Sequence, residues 1–317
     1  MAFNFFIFFN SLIIPLHPLL PPILLSVILL IVLFCLLLRH PRLALVALVC
    51  ALLFNWHWQC VALRFRSLEP HTHENCIRVM TYNVGCPTSH FLGDDEALVR
   101  KVTEANPDVL FLTEFMIATS PRADSLLTSL YPYRQNLENT STGSMFYSRL
   151  PIVSYHVPQG IDYHYDFVFC CRLLHEADTL SVYTAHLRSN NSNNHRPDSI
   201  RSLDALRAYL DNYLQCASLR DSIAHLICAD FGDDPRIFMG DMNDVACSPA
   251  LTTLSEAGMR NAWWRGGFGY GATIHDPLPY RIDHILYSSE FWLHGISIIS
   301  GGDMTDHDAL VADFELY

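Results

Sequence analysis

Arg236-Ile237-Phe238-Met239-Gly240-Asp241-Met242-Asn243-Asp244 passes from an apolar, strand-like run into a cluster of polar turn formers. Gly-Asp and Asn-Asp are dipeptides that close turns. Yet Asp241 follows the apolar run so closely that it stands at a buried strand end. An unpartnered carboxylate there is costly, and a shared metal or hydrogen-bond network would remove the cost. The same break recurs at Met80-Thr81-Tyr82-Asn83, Leu112-Thr113-Glu114-Phe115 and Tyr183-Thr184-Ala185-His186-Leu187. A further pair has it too, Arg281-Ile282-Asp283-His284 and Thr305-Asp306-His307-Asp308. Polar side chains placed after strands are held rigidly, and loops at such points carry function.

Outward from these motifs, strand-like and helix-like segments alternate. Cys76–Tyr82, Asp108–Thr113, Ser144–Tyr147 and Ile152–His156 read as strands, and Asp166–Leu174 pairs with Thr179–Thr184 across a polar turn. Arg281–Tyr287, Leu293–Ile299 and Ala309–Leu316 finish the domain as strands. Asp94–Ala105 reads as a helix capped by Asp94 or Asp95. A second helix opens at Pro197 and carries Ile200, Leu203, Leu206, Leu210, Tyr213 and Leu214 on one face. Interleaving of this kind predicts helices layered on mixed sheets.

The first 66 residues are different. They contain no Asp or Glu and four Arg, whereas the whole chain of 317 residues has 20 Lys and Arg against 32 Asp and Glu. That leaves 16 basic and 32 acidic residues downstream, a net charge near −16. Leu19–Leu38 and Leu43–Leu63 are uncharged over 20 and 21 residues, and each reaches the roughly 20 residues a spanning helix needs. Trp56 and Trp58 stand where an aromatic belt would lie. Ala2–Leu16 is a third apolar stretch, ended by Pro15 and Pro18, with no basic start or cleavage signal. The expectation is a membrane anchor over 1–66, a linker over 67–75 and a globular domain over 76–317. The basic groups at Arg39/Arg42 and Arg64/Arg66 nearly balance. With three spans and an inward N-terminus, the globular domain lies on the outer side, periplasmic or extracellular.

Composition excludes several classes. Half the residues are apolar and mean hydropathy is +0.19, so the chain is not disordered. One lysine, Lys101, and a strongly acidic domain exclude a basic protein that coats nucleic acid. Ten cysteines without a C-x-x-C spacing argue against a zinc or thioredoxin-like motif.

Asn83, Glu114, Gly240-Asp241-Met242-Asn243, Arg281-Ile282-Asp283 and Asp306-His307, in this order, resemble the signature of the endonuclease/exonuclease/phosphatase superfamily. That group includes deoxyribonucleases, apurinic endonucleases and neutral sphingomyelinases, and the resemblance extends to bacterial members with N-terminal transmembrane segments. It implies an α/β fold, a four-layer α/β/β/α sandwich of two mixed sheets with the site at one rim. It implies Mg²⁺ as cofactor, with Mn²⁺ as a substitute, held by Glu114, Asn83 and Asp306. By the same resemblance Asp241 aligns or deprotonates water, and Asn243 donates to phosphoryl oxygens. Asp283 orients His307, and His186 stands near the phosphate. Whether Asp241 or His307 activates water stays open. Asp166 is a candidate to orient His186. Arg149 reads as part of a structural turn, Thr273 as part of a glycine-rich connector, and Asp244 and Asp308 as structural or supporting residues.

The reading is a membrane-anchored, metal-dependent phosphodiester hydrolase with nucleic acid or phospholipid as substrate. Nuclease action is the first expectation and a lipid or head-group phosphodiesterase the second. The rival from another class is a tethered, non-catalytic binding module, since a fold does not guarantee an activity.

Overall fold

The structure is a computed structural model and describes residues 20–64, 76–85, 94–136, 143–161, 167–190, 202–275 and 279–317. Two helices come first, α1 (Leu20–Leu37) and α2 (Pro41–Trp58), then a short strand β1 (Ala62–Leu63). The domain begins with β2 (Cys76–Asn83), α3 (Asp95–Ala105), β3 (Val109–Thr113), α4 (Pro121–Leu130), β4 (Tyr133–Asn136) and β5 (Ser144–Ser148). It continues with β6 (Ile152–His156), β7 (Phe167–His175), β8 (Asp178–His186), α5 (Leu203–Ala229), β9 (Arg236–Asp241) and α6 (Pro249–Glu256). It closes with β10 (Arg260–Asn261), α7 (Ala262–Gly266), β11 (Phe268–Gly269), β12 (Asp283–Tyr287), β13 (Phe291–Ile299) and β14 (Ala309–Leu316).

Two six-stranded mixed sheets form, ordered β13-β14-β2-β3-β5-β4 and β10-β12-β9-β8-β7-β6. Within them only β2/β3 and β8/β9 are parallel, and each parallel pair is joined through a helix, α3 or α5. Side-chain alternation builds the layers. Ile77, Val79, Phe111, Leu310 and Phe314 of the first sheet meet Phe169, Val182, Ile237, Met239 and Ile285 of the second. On the outer face of the first sheet Met80, Tyr82 and Leu112 pack on Leu98 and Val102 of α3 and Leu127 of α4. On the outer face of the second, Tyr183, Phe238 and Leu286 pack on Ala224 and Ile227 of α5 and Leu251 of α6. The result is the expected α/β/β/α order.

Alternation also locates the site. Val79 and Thr81 lead to Asn83 on the face between the sheets. Val182 and Thr184 lead to His186, Met239 leads to Asp241, and Ile285 leads back to Asp283. All four polar residues therefore stand at one rim of the inter-sheet core. The ladder pairs Asp241 with both His186 and Asp283. Gly240 is essential to this register. Its φ is +145°, and a Cβ there would stand 1.9 Å from the Ala185 carbonyl oxygen.

Strands β5 and β6, both expected as strands, lie in different sheets, because the chain crosses between layers at Arg149-Leu150-Pro151. Other sequence expectations need correction. The second helix begins at Leu203, where the Ser202 hydroxyl accepts from the Ala205 N–H. Its buried face carries Tyr209, Asn212, Tyr213, Cys216, Arg220 and Ile223, while Leu214 is 39% exposed. Of the expected stripe Tyr213 lies on this face and Leu210 is half-buried, while the side chains of Leu203 and Leu206 fall outside the described ones; the packed sheet admits aromatic and polar side chains that a purely apolar count passes over. Pro197 and Ile200 fall outside the described residues, as do the segment 2–16 and the linker 67–75. The expected spans over 19–38 and 43–63 appear as helices of 18 residues each, about 27 Å long. Among the described residues no helix is long and apolar enough to cross a membrane. The two helices pair with each other and leave Leu30, Leu33, Phe34, Leu45, Val46 and Leu53 largely exposed.

Candidate active site

The site is built from the ends of the two parallel strand pairs, where backbone groups and side chains leave the sheet together. Asn83 closes β2 and its amide Nδ2 serves two carboxylates, Glu114 Oε1 at 3.1 Å and Asp241 Oδ2 at 3.0 Å. Glu114, just past β3, has φ +56°, a left-handed conformation that costs a non-glycine residue free energy. Asn243 takes the same conformation, φ +48°, and its N–H donates to Asp241 Oδ1 at 2.8 Å. The Asn243 amide also donates to the Leu187 carbonyl at 2.8 Å, tying the turn after β9 to the loop after β8.

His307 enters from the loop before β14. Its Nδ1 lies 2.8 Å from Asp283 Oδ2, and its Nε2 lies 3.9 Å from Asp241 Oδ2. Burial alone would lower the His307 pKa. The carboxylates of Asp283, Asp241 and Asp306 outweigh it and hold the imidazole protonated well above its usual range. Burial pushes the Asp283 carboxyl up, and His307 draws it back. Asp241 thus faces a buried cation whose orientation Asp283 sets. His186 closes the circle, with Nε2 3.8 Å from Glu114 Oε1 and 3.9 Å from Asp241 Oδ2. Its Nδ1 is buried without a partner among the described residues. Asp166, the candidate orienting group, lies outside them, as does His164.

Of the expected residues, the structure brings Asn83, Glu114, His186, Asp241, Asn243, Asp283 and His307 together. Asp306 stands beside them, half-buried. Its carboxylate meets the Thr305 hydroxyl at 3.4 Å and contributes to the field on His307. Among the described residues its carboxylate is not seen to bond the Asn83 or Glu114 side chain directly. The approach is through the backbone, since the Thr305 hydroxyl donates to the Asn83 carbonyl at 3.1 Å.

Thr273 has a larger part than a connector. Its hydroxyl accepts the N–H groups of Ile282 and Asp283 at 3.1 and 3.0 Å, and its carbonyl accepts from Asp308 N–H at 2.7 Å. It therefore fixes both strands that carry the His307–Asp283 pair. Asp308 accepts from Gly301 N–H and pairs with His275 at 2.8 Å, a structural role. Arg149 lies over the Tyr131 ring and near Asp108, as a turn residue should.

Sequence reasoning missed Arg220. It is wholly buried on α5, and its Nε donates to Asp244 Oδ2 at 3.0 Å. Its Nη1 donates to the Arg188 carbonyl and to Asn190 Oδ1, both at 2.9 Å. One guanidinium thus holds the loop after His186 and the loop after Asp241 in fixed relation. The available signal was an arginine at a buried helix position, in line with Tyr213, Cys216 and Ala217. His284 is likewise structural. Burial, with help from Arg281, pushes it down to about 3, and the neutral ring donates Nε2–H to the Asp244 carbonyl at 2.9 Å.

The donor set fits a hard divalent cation. Glu114 and Asp241 share one amide group while further carboxylates, Asp283 and Asp306, stand nearby, so the rim is short of positive charge. Asp241, Asp283 and His307 also bring ligand atoms within 4.8 Å of one another, a possible cation site in its own right. In that group the His307 Nδ1 and the Asp283 Oδ2 are already committed to each other at 2.8 Å. This favours Glu114 and Asn83, whose oxygens suit Mg²⁺-like ions.

Residues 80–307 match the endonuclease/exonuclease/phosphatase family, and the chain belongs to it. Members of this family are hydrolases of phosphoester bonds, generally dependent on divalent metal. Among curated proteins no sequence matches the chain. Among solved structures, the endonuclease/exonuclease/phosphatase from Bacteroides vulgatus superposes with a TM-score of 0.57 at 16% identity, over 77% of this chain and 100% of that one. D. rerio TDP2, solved with a single-strand DNA product, gives 0.56 at 14%, over 76% and 100%. The human Nocturnin catalytic domain, solved with a bound sulfate, gives 0.52 at 15%, over 77% and 96%. At such identities the likeness is one of fold.

Proposed function

We propose that this chain is a divalent-metal-dependent phosphodiester hydrolase of the nuclease type, held at a membrane by its helical hairpin. The observation that carries the reading is the convergence of Glu114 and Asn83 with Asp241 and a His307–Asp283 pair at one rim. Glu114 and Asn83, with Asp306 beside them, are the residues to hold Mg²⁺, or Mn²⁺ in its place. The bound ion supplies charge neutralisation for the phosphate and the developing oxyanion.

The remaining roles belong to the protein's own side chains. Asp241, fixed by Asn83 and the Asn243 N–H, aligns the attacking water and accepts its proton. Asn243 presents its amide to a phosphoryl oxygen. His307, kept cationic by Asp283, stabilises the negative charge that accumulates in the transition state. His186 Nε2 points to the same space and assists the phosphate.

Nucleic acid is the first substrate class, a choice supported by the fold shared with a protein solved on a single-strand DNA product. A second reading, a lipid or head-group phosphodiesterase, has its own support. The chain has one lysine and a net charge of −12, and its hairpin would concentrate it at lipid. Membrane attachment rests on the apolar outer surface of α1 and α2, which carries no acidic residue. The outer-side placement of the domain rests on the charge distribution of the N-terminal segment.

The test uses the full chain in neutral detergent with Mg²⁺ or EDTA, alongside Asp241→Ala. Bis-p-nitrophenyl phosphate, plasmid DNA, RNA and sphingomyelin are offered in parallel. Metal-dependent DNA or RNA cleavage that vanishes in the variant is expected. Cleavage of lipid alone would replace the nuclease reading by the second one, and no turnover on any substrate would favour a non-catalytic binding module.

A further inference from the structure

The base of the hairpin is tied to the catalytic domain at three places. Strand β1 pairs with β11, Ala62 opposite Gly269 and Leu63 opposite Phe268. Trp56 of α2 meets Trp264 of α7 edge to face, ring centroids 6.1 Å apart. The buried Arg281 donates to the Gln59 carbonyl at 2.9 Å and also to the Tyr270 carbonyl. These contacts make the wall between hairpin and domain a fixed surface rather than a hinge.

Beside that wall opens a cleft of about 1090 Å³ including its mouth. Trp56, Gln59, Trp264, Arg260, Arg265 and Ser289 are among the residues that line it. Arg260 and Arg265 are exposed and form no ion pair with a described residue. The carboxylate that feels Arg260 is Glu290, which also feels Arg236. Two exposed arginines on one cleft, neither in an ion pair with a described residue and with Glu290 the carboxylate near Arg260, stand out in a chain with 32 acidic residues. Leu63 and Phe268, which flank the same base, are 65% and 63% exposed. Apolar tips, a tryptophan pair and arginines, arranged around the foot of an apolar hairpin, form the collar expected where protein meets lipid head groups.

We propose that this cleft binds the phosphate of an anionic phospholipid head group, with the acyl chains lying along the exposed face of α1 and α2. Arg260 and Arg265 supply the charge and Trp56 and Trp264 the amphipathic walls. The bound lipid holds the catalytic rim at a set angle to the bilayer. The proposal rests on the membrane attachment put forward above and adds the lipid class and the residues that select it.

The test uses the full chain in dodecyl maltoside micelles. Dioctanoyl phosphatidylglycerol, dioctanoyl phosphatidylcholine and inorganic phosphate are titrated against tryptophan fluorescence. Phosphatidylglycerol should bind about tenfold or more tighter than phosphatidylcholine, since two arginines near an anionic head group contribute that much. Arg260→Gln with Arg265→Gln should bring the two lipids to near equality with an unchanged melting temperature, and the double Lys variant should restore the preference. Equal binding of both lipids by the wild type, or a preference that survives the double Gln variant, would overturn the proposal. So would inorganic phosphate binding as tightly as phosphatidylglycerol. Co-sedimentation with pure phosphatidylcholine vesicles probes the hairpin alone. Its loss in wild type and variant alike sinks membrane attachment, whereas its retention without lipid preference sinks only the head-group site.

Discussion

The catalytic rim and the helical hairpin invert each other. At the rim, charged groups are buried: Asp241, Asp283 and His307 are almost wholly shielded, and each is paired. Along the hairpin, leucines and valines such as Leu30, Leu33, Leu45 and Val46 are largely exposed among the described residues. The rim spends stability on polarity because chemistry needs oriented charge. The hairpin leaves apolar surface bare, which an aqueous protein avoids. The two regions depart from the rule of apolar inside and polar outside in opposite senses.

That contrast can be broken most sharply at the rim. Asp241→Ala should lower turnover of bis-p-nitrophenyl phosphate by about 10²–10⁴, as loss of an acid–base residue does. A variant that retains most of its turnover would remove Asp241 from the chemistry. Arg220→Leu tests whether the rim depends on its buried support. It leaves Asp244 buried without its cation, and should cost roughly 3–5 kcal/mol in thermal or urea unfolding. Parent-like unfolding would show that the two loops are held by other contacts.

The third test concerns pH. The His307 pKa is raised in the fold, so the charge pair contributes fully below the unfolded histidine value, about 6.5. That contribution is lost as pH rises through the folded value. Stability of the parent should therefore fall on the alkaline side. Asp283→Asn removes the nearest carboxylate and should move the His307 titration towards neutral pH, as read from imidazole NMR shifts. An unmoved titration would mean that Asp283 does not hold the proton in place.

The smallest effect belongs to the hairpin. Leu30→Ser with Leu33→Ser should change the unfolding of the catalytic domain by under about 0.5 kcal/mol, because these side chains pack on little. The same variant should bind phosphatidylcholine vesicles measurably less. A large loss of domain stability would show that the hairpin face is packed and not lipid-facing.

Much of this was legible beforehand, and the reasons are local. Apolar runs that end in Asn83, His186 or Asp241 announce themselves, because alternation places the last polar residue on the face of the core; Glu114, one residue past its strand, is legible only as a polar break in an apolar run. Ala309–Leu316 reads as a strand from its own residues and appears with those bounds. Arg220, by contrast, looks like any charged helix residue until α5 is laid against the second sheet. Thr273 looks like part of a glycine-rich connector until its hydroxyl is found under the N–H groups of Ile282 and Asp283, where β12 begins. The second expected stretch, 43–63, is displaced in α2 (Pro41–Trp58), since an uncharged run says nothing of where a helix starts or stops.

The residue types at the rim, the α/β alternation and the apolar character of the first segment were determined by the sequence alone, because each is a property of neighbours along the chain. Tertiary structure decided which carboxylate shares the Asn83 amide, that His307 stays protonated, that β5 and β6 part into different sheets and that two arginines gather at the foot of the hairpin. Those outcomes depend on distances between residues tens to hundreds of positions apart, and on the burial that the packed layers create around them. Local pattern carries neither quantity.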